Sequence, residues 1–339
     1  MDLPIRARTL LECSRYAAMV ARSAGWCGVT RGLEVGMSRN TDGKQYFVGI
    51  GAHRAGTTWL SQYLGQHPQV AFSPIKELHY FDTVSAEGAE QAVRPRALAR
   101  LERLGKRRDH ASGGRRIAMT DWLSGRAENR DDDSYRDFFD LICDGSQRVF
   151  GEITPSYSVL GAAAFGRILH CYPDAKFIFI LRNPADRHWS HLRAAETRRL
   201  EPFDAAVHLR PSLSESLFTR RTDYPRTLET LFRVVPPERV CVVFFEHLTS
   251  PATSATELAK ITSFLGIDFM APSPEDKVNA SKSIQLGQAV RDEVVAHYAP
   301  IYEYVEAHYD GLPGSWRADC EQLRRKGLVS AGRRIFAGS

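Results

Sequence analysis

The sequence predicts an α/β fold with a mainly parallel central sheet and helices on both faces. Strand-like runs rich in Val, Ile and Phe recur at Tyr46–Ile50, Lys176–Leu181 (KFIFIL) and Arg239–Phe245 (RVCVVFF). They are continuously apolar rather than alternating, which is the pattern of strands buried on both faces. Segments of helical character separate them, and strands alternating with helices build a parallel sheet. The first run also passes through a small-residue turn, Gly51–Gly56, straight into a helical run from Thr57. That strand–turn–helix geometry aims free backbone N–H groups and a positive helix end at one spot, where an anion binds.

Taken in order, the first strand is followed by a predicted helix at Thr57–Gln66 and a short strand at Val70–Phe72. Helices at Ser134–Cys143 and Ser158–His170 flank a short strand at Arg148–Phe150 and precede the KFIFIL strand; a helix at Ala185–Arg199 follows it. A helix at Tyr224–Val235 leads to the RVCVVFF strand, and helices at Ala252–Leu265 and Gly287–Asp310 come after. Arg210–Thr222 and Pro272–Ser283 read as loops, and the charge-rich stretch 86–133 reads as an exposed insertion. The expected organisation is an N-terminal extension over 1–44, helical or poorly ordered, one domain over 45–315, and a basic tail over 316–339.

The chain has 339 residues, 43% hydrophobic and 25% charged, which suits a globular protein with a full core. No run approaches the ~18 apolar residues of a spanning helix. Residues 1–30 carry arginines among apolar residues without a compact apolar run and cleavage site, so they do not read as a signal peptide. A peripheral membrane contact through that segment is an open expectation. Six scattered cysteines without a C-x-x-C pair read as free thiols in a reducing compartment, hence a cytoplasmic location. The net charge of +5 is concentrated in Arg94–Arg116 and beyond Arg317. Aromatic residues are nearly absent from both blocks and no recognition motif accompanies them. Nucleic acid is therefore not the expected partner, and the blocks read as solvated faces or as attraction for an anionic ligand.

Two junctions carry the chemistry. The first, Gly51-Ala52-His53-Arg54-Ala55-Gly56-Thr57-Thr58, has the G-x4-G-T-T spacing of a P-loop, but Thr57 stands where a nucleotide triphosphatase needs its lysine. Arg54 is the only Lys or Arg in that loop. The second is Leu181-Arg182-Asn183-Pro184, in which Asn183 suits an N-cap and Pro184 the first helical position. Arg182 then sits at a strand's carboxyl end, where open α/β sheets bind ligands, and Ser190 lies about two turns into the next helix. An arginine and a hydroxyl so placed can both reach a phosphate.

With these motifs in hand, the chain resembles the 3′-phosphoadenosine-5′-phosphosulfate (PAPS)-dependent sulfotransferases, particularly the bacterial and carbohydrate-type branch, with a P-loop-like nucleotide-binding fold. Gly51–Leu60 resembles the family's 5′-phosphosulfate loop. Arg182-Asn183-Pro184 with Arg187 and Ser190 resembles its 3′-phosphate motif. Lys76-Glu77-Leu78-His79-Tyr80-Phe81-Asp82 resembles K-E-x-H-F-F-D, and Gly151-Glu152-Ile153-Thr154-Pro155-Ser156-Tyr157 resembles G-E-K-T-P-x-Y. Phe244-Phe245-Glu246-His247-Leu248, followed by Phe264-Leu265-Gly266, resembles the later half.

The resemblance implies sulfuryl transfer from PAPS to a hydroxyl of a carbohydrate, lipid or small metabolite. It implies that Arg54, Ala55, Gly56, Thr57, Thr58 and Trp59 hold the 5′-phosphosulfate and that Arg182 and Ser190 hold the 3′-phosphate. Glu77 matches the catalytic carboxylate and becomes the general base, with Lys76 and His79 beside the sulfuryl group and Arg54 neutralising the leaving oxygen. Lys282, in Val278–Lys282, is assigned to a loop closing over the donor. No metal-ligand spacing is present, and none is needed for this chemistry. The chain departs from the family pattern at Arg54 and Ile153, where lysine is usual. The competing expectation is a P-loop kinase or triphosphatase lacking the Walker lysine, which leaves the Arg182/Ser190 pair unused.

Overall fold

The computed structural model describes residues 39–84, 131–196, 204–272 and 286–330. The N-terminal 38 residues, most of the expected insertion including Arg94–Arg116, the Val278–Lys282 loop with Lys282, and the last nine residues lie outside the described residues.

Five strands form one sheet in the order β2-β3-β1-β4-β5. They are β1 (Gln45–Gly51), β2 (Val70–Phe72), β3 (Val149–Ile153), β4 (Lys176–Leu181) and β5 (Val240–Phe244). All four pairings are parallel, with Phe47 of β1 opposite both Gly151 of β3 and Lys176 of β4. The expected α/β fold with a parallel sheet flanked by helices is therefore the one observed. β1 lies at the centre, buried from Tyr46 through Gly51. The chain leaves β1 toward one edge, returns through β3, and then crosses β1 to β4. That reversal opens a crevice between the carboxyl ends of β1 and β4, where open α/β sheets bind ligands.

The helices have local causes that the sequence shows. Helix α1 (Thr57–Gln66) starts at Gly56, whose φ of 80° is the left-handed region. A Cβ there would stand 2.8 Å from Phe245 Cδ2, so glycine is required twice over. A short helix α2 (Tyr80–Val84) follows β2, and α3 (Asp132–Ile142) is capped by Asp131, which accepts from the Ser134 N–H at 2.8 Å. A 3₁₀ turn (Pro155–Val159) and α4 (Ala162–Cys171) occupy the predicted 158–170 region. Helix α5 (Pro184–Glu196) begins as expected, with Asn183 Oδ1 accepting from the N–H groups of Ala185 and Asp186 at 3.1 and 3.3 Å.

Three expectations are corrected. The predicted loop at 210–222 instead holds the end of α6 (Ala205–Ser212) and all of α7 (Ser216–Thr219). Two of its polar residues point inward: Ser212 and Thr222 are buried, held by His188 and Arg187 of α5. Beyond α8 (Tyr224–Phe232), β5, α9 (Phe245–Thr249) and α10 (Ser254–Leu265), the single helix expected at 287–310 is two, α11 (Gln288–His297) and α12 (Ala299–His308). Pro300 causes the break, since it has no N–H to continue the first helix and suits the first turn of the second. Finally, residues 316–325 continue the domain rather than belonging to a tail. Helix α13 (Gly314–Arg325) buries Trp316, Cys320 and Leu323.

α13 also ties the C-terminal helices to the strand β4 junction. Asp319 accepts from Asn183 Nδ2 at 2.6 Å, Tyr302 OH at 3.1 Å, and both terminal nitrogens of Arg291 at 3.1 Å. Glu246 accepts from the Asn183 N–H at 2.8 Å and from Trp316 Nε1 at 3.1 Å. Asp319→Ala strips the acceptor from this cluster and is expected to destabilise the fold by about 3 kcal/mol in chemical denaturation. A loss under about 1 kcal/mol would show that the cluster contributes position rather than stability. The four described cysteines, Cys143, Cys171, Cys241 and Cys320, are buried free thiols, and burial pushes Cys143 and Cys171 up to about 12.

Candidate active site

The crevice brings the two predicted junctions into contact. The loop after β1 is joined to the end of β4 by the Ala52 N–H, which donates to Ile180 O at 2.9 Å. Arg182 NH1 donates to the Arg54 carbonyl at 2.7 Å, and Arg54 Nε donates to Ser190 Oγ at 3.2 Å. The Arg182 guanidinium lies 4.4 Å over the Phe245 ring. No side chain caps α1, so its first amides are available to an anion. Thr57 is buried, as is Ala55. Trp59 is 7% exposed and stacks on Tyr63, which leaves its backbone rather than its ring to face the loop's ligand.

The Lys76–His79 segment packs beside α1. Lys76 Nζ donates to Thr58 Oγ1 at 2.6 Å and lies 3.3 Å from Glu77 Oε1. It is thus Lys76 that stands at the helix end of the Gly51–Gly56 loop, while Arg54 reaches across to α5. The lysine missing from the loop's own sequence is supplied from a neighbouring segment.

Glu77 is one end of a three-residue chain. Glu77 Oε2 lies 3.6 Å from His79 Nε2, and His79 Nδ1 lies 2.7 Å from Asp82 Oδ2. Ser156 Oγ donates to the same Asp82 oxygen at 2.5 Å. The backbone here is held in the left-handed region at three non-glycine residues: Arg54 (φ 66°), Glu77 (φ 60°) and His79 (φ 54°). Such residues persist only where the surroundings over-determine them, and they cluster at functional sites. At Glu77 and His79 the anchoring group is Glu152. Its fully buried carboxylate accepts from Leu78 N–H at 3.1 Å, Thr154 Oγ1 at 2.6 Å, Tyr135 OH at 2.8 Å and Tyr157 OH at 2.9 Å. Leu78 sits between the two strained residues, so Glu152 anchors the turn that presents Glu77. Ile153 is 2% exposed in β3, and a Cβ at Gly49 would stand 2.5 Å from its Cγ1. Position 153 therefore faces the core, where a lysine would be buried.

The charges follow from this packing. Burial opposes ionisation of Glu77, but the hydrogen bond from His79 and the charges of Lys76 and His79 outweigh it and hold the carboxyl down to about 2. Burial also opposes the charged form of His79, yet Asp82 and Glu77 raise it to about 9. At neutral pH Glu77 is therefore a carboxylate and His79 an imidazolium. On the other side of the loop, His53 stacks on His191 at 6.1 Å. Burial foremost, with Arg221 next for His53 and Arg187 next for His191, lowers them to about 3 and about 2. Both are neutral imidazoles.

The crevice thus gathers an uncapped helix N-terminus, a lysine beside it, a carboxylate paired with an imidazolium, and an arginine with a serine hydroxyl on the next helix. A model of the sulfotransferase family matches residues 47–271. The chain belongs to the sulfotransferase family. The sulfotransferase is 26% identical over 144 residues to the membrane-associated sulfotransferase kil1 of Dictyostelium discoideum, a stretch covering 42% of this chain and 21% of that protein. It thus aligns with about a fifth of that relative's length. It is similar in fold to the crystal structure of a sulfotransferase from Alicyclobacillus acidocaldarius, with a TM-score of 0.55 and 25% identity, covering 81% of this chain and 98% of that one. Among the described residues, no helix is long and apolar enough to cross a membrane, and no group of three or more His, Cys, Asp or Glu residues is placed to hold a metal ion.

Several members of the sulfotransferase's site were not singled out from the sequence. Asp82 had a usable signal, since it lies three residues after His79 at the start of a helix. Ser156 and Glu152 had none beyond their motif, because their roles depend on β3 lying beside β1. The raised pKa of His79 has a consequence for stability. Its folded value of about 9 exceeds its ordinary 6.5, so the stabilisation from its pairing is complete below about pH 6.5 and is lost as pH rises through 9. The thermal midpoint of the wild type is expected to fall across that window, and His79→Asn is expected to flatten the slope. Equal slopes in the two proteins would remove His79 from this role.

Proposed function

We propose that this sulfotransferase moves the sulfuryl group of PAPS to a hydroxyl of a carbohydrate, lipid or small-metabolite acceptor, with Glu77 as general base. The observation that carries the reading is the contact of the two junctions: Arg182 NH1 on the Arg54 carbonyl, and Arg54 Nε on Ser190 Oγ. It sets an arginine and a hydroxyl beside the loop that holds phosphate, which suits a nucleotide carrying phosphates at both its 3′ and 5′ positions. ATP has no group for the second position.

In the proposed reaction the acceptor oxygen attacks sulfur, and the bond from sulfur to the 5′-phosphate oxygen breaks. Adenosine 3′,5′-bisphosphate leaves, and the acceptor proton passes to Glu77. Charge developing on the departing oxygen is met by the first amides of α1, by Lys76 at Thr58, and by Arg54. The imidazolium of His79 orients the Glu77 carboxylate, and Asp82 with Ser156 fixes that imidazolium. Lys282 is proposed as a further donor contact.

Calorimetry with adenosine 3′,5′-bisphosphate and with ATP tests the donor. Tight binding of the bisphosphate and weak binding of ATP are expected; the reverse order overturns the assignment. Incubation of the protein with labelled PAPS and a panel of hydroxyl acceptors, read by mass spectrometry, then identifies the product.

A further inference from the structure

The stacked rings of His53 and His191 lie within 4° of parallel, and no step of the proposed transfer uses them. His191 also packs on the Phe218 ring at 4.5 Å, and Arg221 NH1 lies 3.3 Å from its Nε2. An arginine only donates, so Nε2 is the accepting nitrogen and the neutral ring carries its proton on Nδ1. Protonating Nε2 would set two donors against each other, which with burial keeps this imidazole uncharged. His53 connects the two ends of this row. After burial, the strongest influences on its ring are Arg221 and then Glu77. Two uncharged, hydrogen-bonding rings therefore run from the carboxylate of Glu77 to the guanidinium of Arg221.

Arg221 belongs to a basic corner between α7 and α8, where Arg220, Arg221 and Arg226 accompany one acidic residue, Asp223. Asp223 is turned to the backbone as the cap of α8 and accepts from the Arg226 N–H at 3.1 Å. Burial, and then the charge of Arg220, lower Arg226, so these two guanidiniums act on one another. Arg226 NH2 donates to the Val159 carbonyl at 3.3 Å, in the 3₁₀ turn whose Ser156 holds Asp82 and His79. The basic corner is thus fastened to the turn that steadies Glu77. None of its three arginines belongs to the phosphate-binding junctions after β1 and β4.

We propose that Arg221 and the His53–His191 pair form the acceptor subsite, and that the acceptor carries an anionic group, a carboxylate or a phosphate, besides the hydroxyl presented to Glu77. A guanidinium has five N–H donors in a planar fork, so holding His191 and meeting an anion are compatible. The neutral imidazole of His53 offers a hydrogen bond to the acceptor without adding a charge near the base. Arg220, exposed at the rim, attracts an anion toward the crevice. This assignment rests on the sulfuryl transfer proposed above and names the class of acceptor that the transfer serves.

Ligand-observed NMR titrations of the protein saturated with adenosine 3′,5′-bisphosphate test this with matched probes: methyl β-D-glucuronide against methyl β-D-glucoside, and glycerol 1-phosphate against glycerol. The anionic member of at least one pair is expected to bind at least about tenfold more tightly, and the pair that responds separates a carboxylated sugar from a phosphate headgroup. Arg221→Gln keeps an N–H for His191 but no charge. It is expected to bring the anionic probe to within about threefold of its neutral partner, with affinities for the neutral probe and the bisphosphate within about threefold of wild type. Equal binding of both members of each pair by wild type overturns the inference. So does a preference that survives in Arg221→Gln, or one lost only together with bisphosphate binding, as a merely structural role would give. Should Arg221→Gln fail to fold, salt decides with the wild type: the preference is expected to shrink as ionic strength rises, and a salt-independent preference overturns the inference. A wild type that does not bind the bisphosphate removes the donor assignment instead, and the same titrations without nucleotide then decide the subsite.

Discussion

Glu77→Gln is expected to cut turnover at least about a hundredfold while leaving affinity for adenosine 3′,5′-bisphosphate within about threefold of wild type. The substitution keeps the volume and a carbonyl oxygen for His79 but removes the proton acceptor. The ligand-free carboxyl, held down to about 2, is ionised at any working pH but is a weak base. Donor binding changes that balance. The groups that depress Glu77 are foremost the cations His79 and Lys76, and a phosphosulfate beside Thr58 would draw on the charge of Lys76, which lies 2.6 Å from the Thr58 hydroxyl. An anion in the cradle also repels the carboxylate directly, and both effects raise its basicity once the donor is bound. His79 cannot substitute as the base at neutral pH, because Asp82 and Glu77 keep it protonated. Single-turnover rates with saturating donor check the prediction, and an unchanged rate removes Glu77 from the role.

Arg182→Ala is expected to weaken binding of adenosine 3′,5′-bisphosphate by about thirtyfold, the scale of one charge-assisted hydrogen bond. Two losses combine. The guanidinium at the carboxyl end of β4 is a candidate phosphate ligand, and its NH1 also holds the Arg54 carbonyl at 2.7 Å. Without that tie the loop bearing Arg54, at φ 66°, is free to relax. AMP should lose much less affinity, since it lacks the 3′-phosphate. Equal losses for both nucleotides would assign Arg182 to holding the loop alone, and no loss for either would remove it from the site.

Much of the fold was legible because its causes are local. The continuous apolar runs at Tyr46–Ile50, Lys176–Leu181 and Arg239–Phe245 became β1, β4 and β5, and Gly56 and Asn183 start the helices where their backbone chemistry predicts. The misread segment at 210–222 fails for a physical reason. Its serines and threonines look solvent-directed, yet Ser212 and Thr222 are buried because His188 and Arg187 supply partners from another helix. A polar residue's partner across the fold is not written in its neighbours.

The sequence by itself determined the parallel α/β architecture, the glycine-bearing anion loop after β1, the Arg182–Ser190 junction after β4, and membership of the sulfotransferase family. The first three follow from backbone propensities, apolar periodicity and short-range spacing, and the family from the resemblance of the motifs. Only the tertiary structure decided which groups meet. The order β3-β1-β4 sets the Glu152 carboxylate under Leu78, Arg54 against Ser190, and Lys76 in the place beside Thr58 where the loop lacks a lysine. Those outcomes depend on segments up to more than a hundred residues apart being brought side by side, and strand order, not local pattern, sets which segments become neighbours.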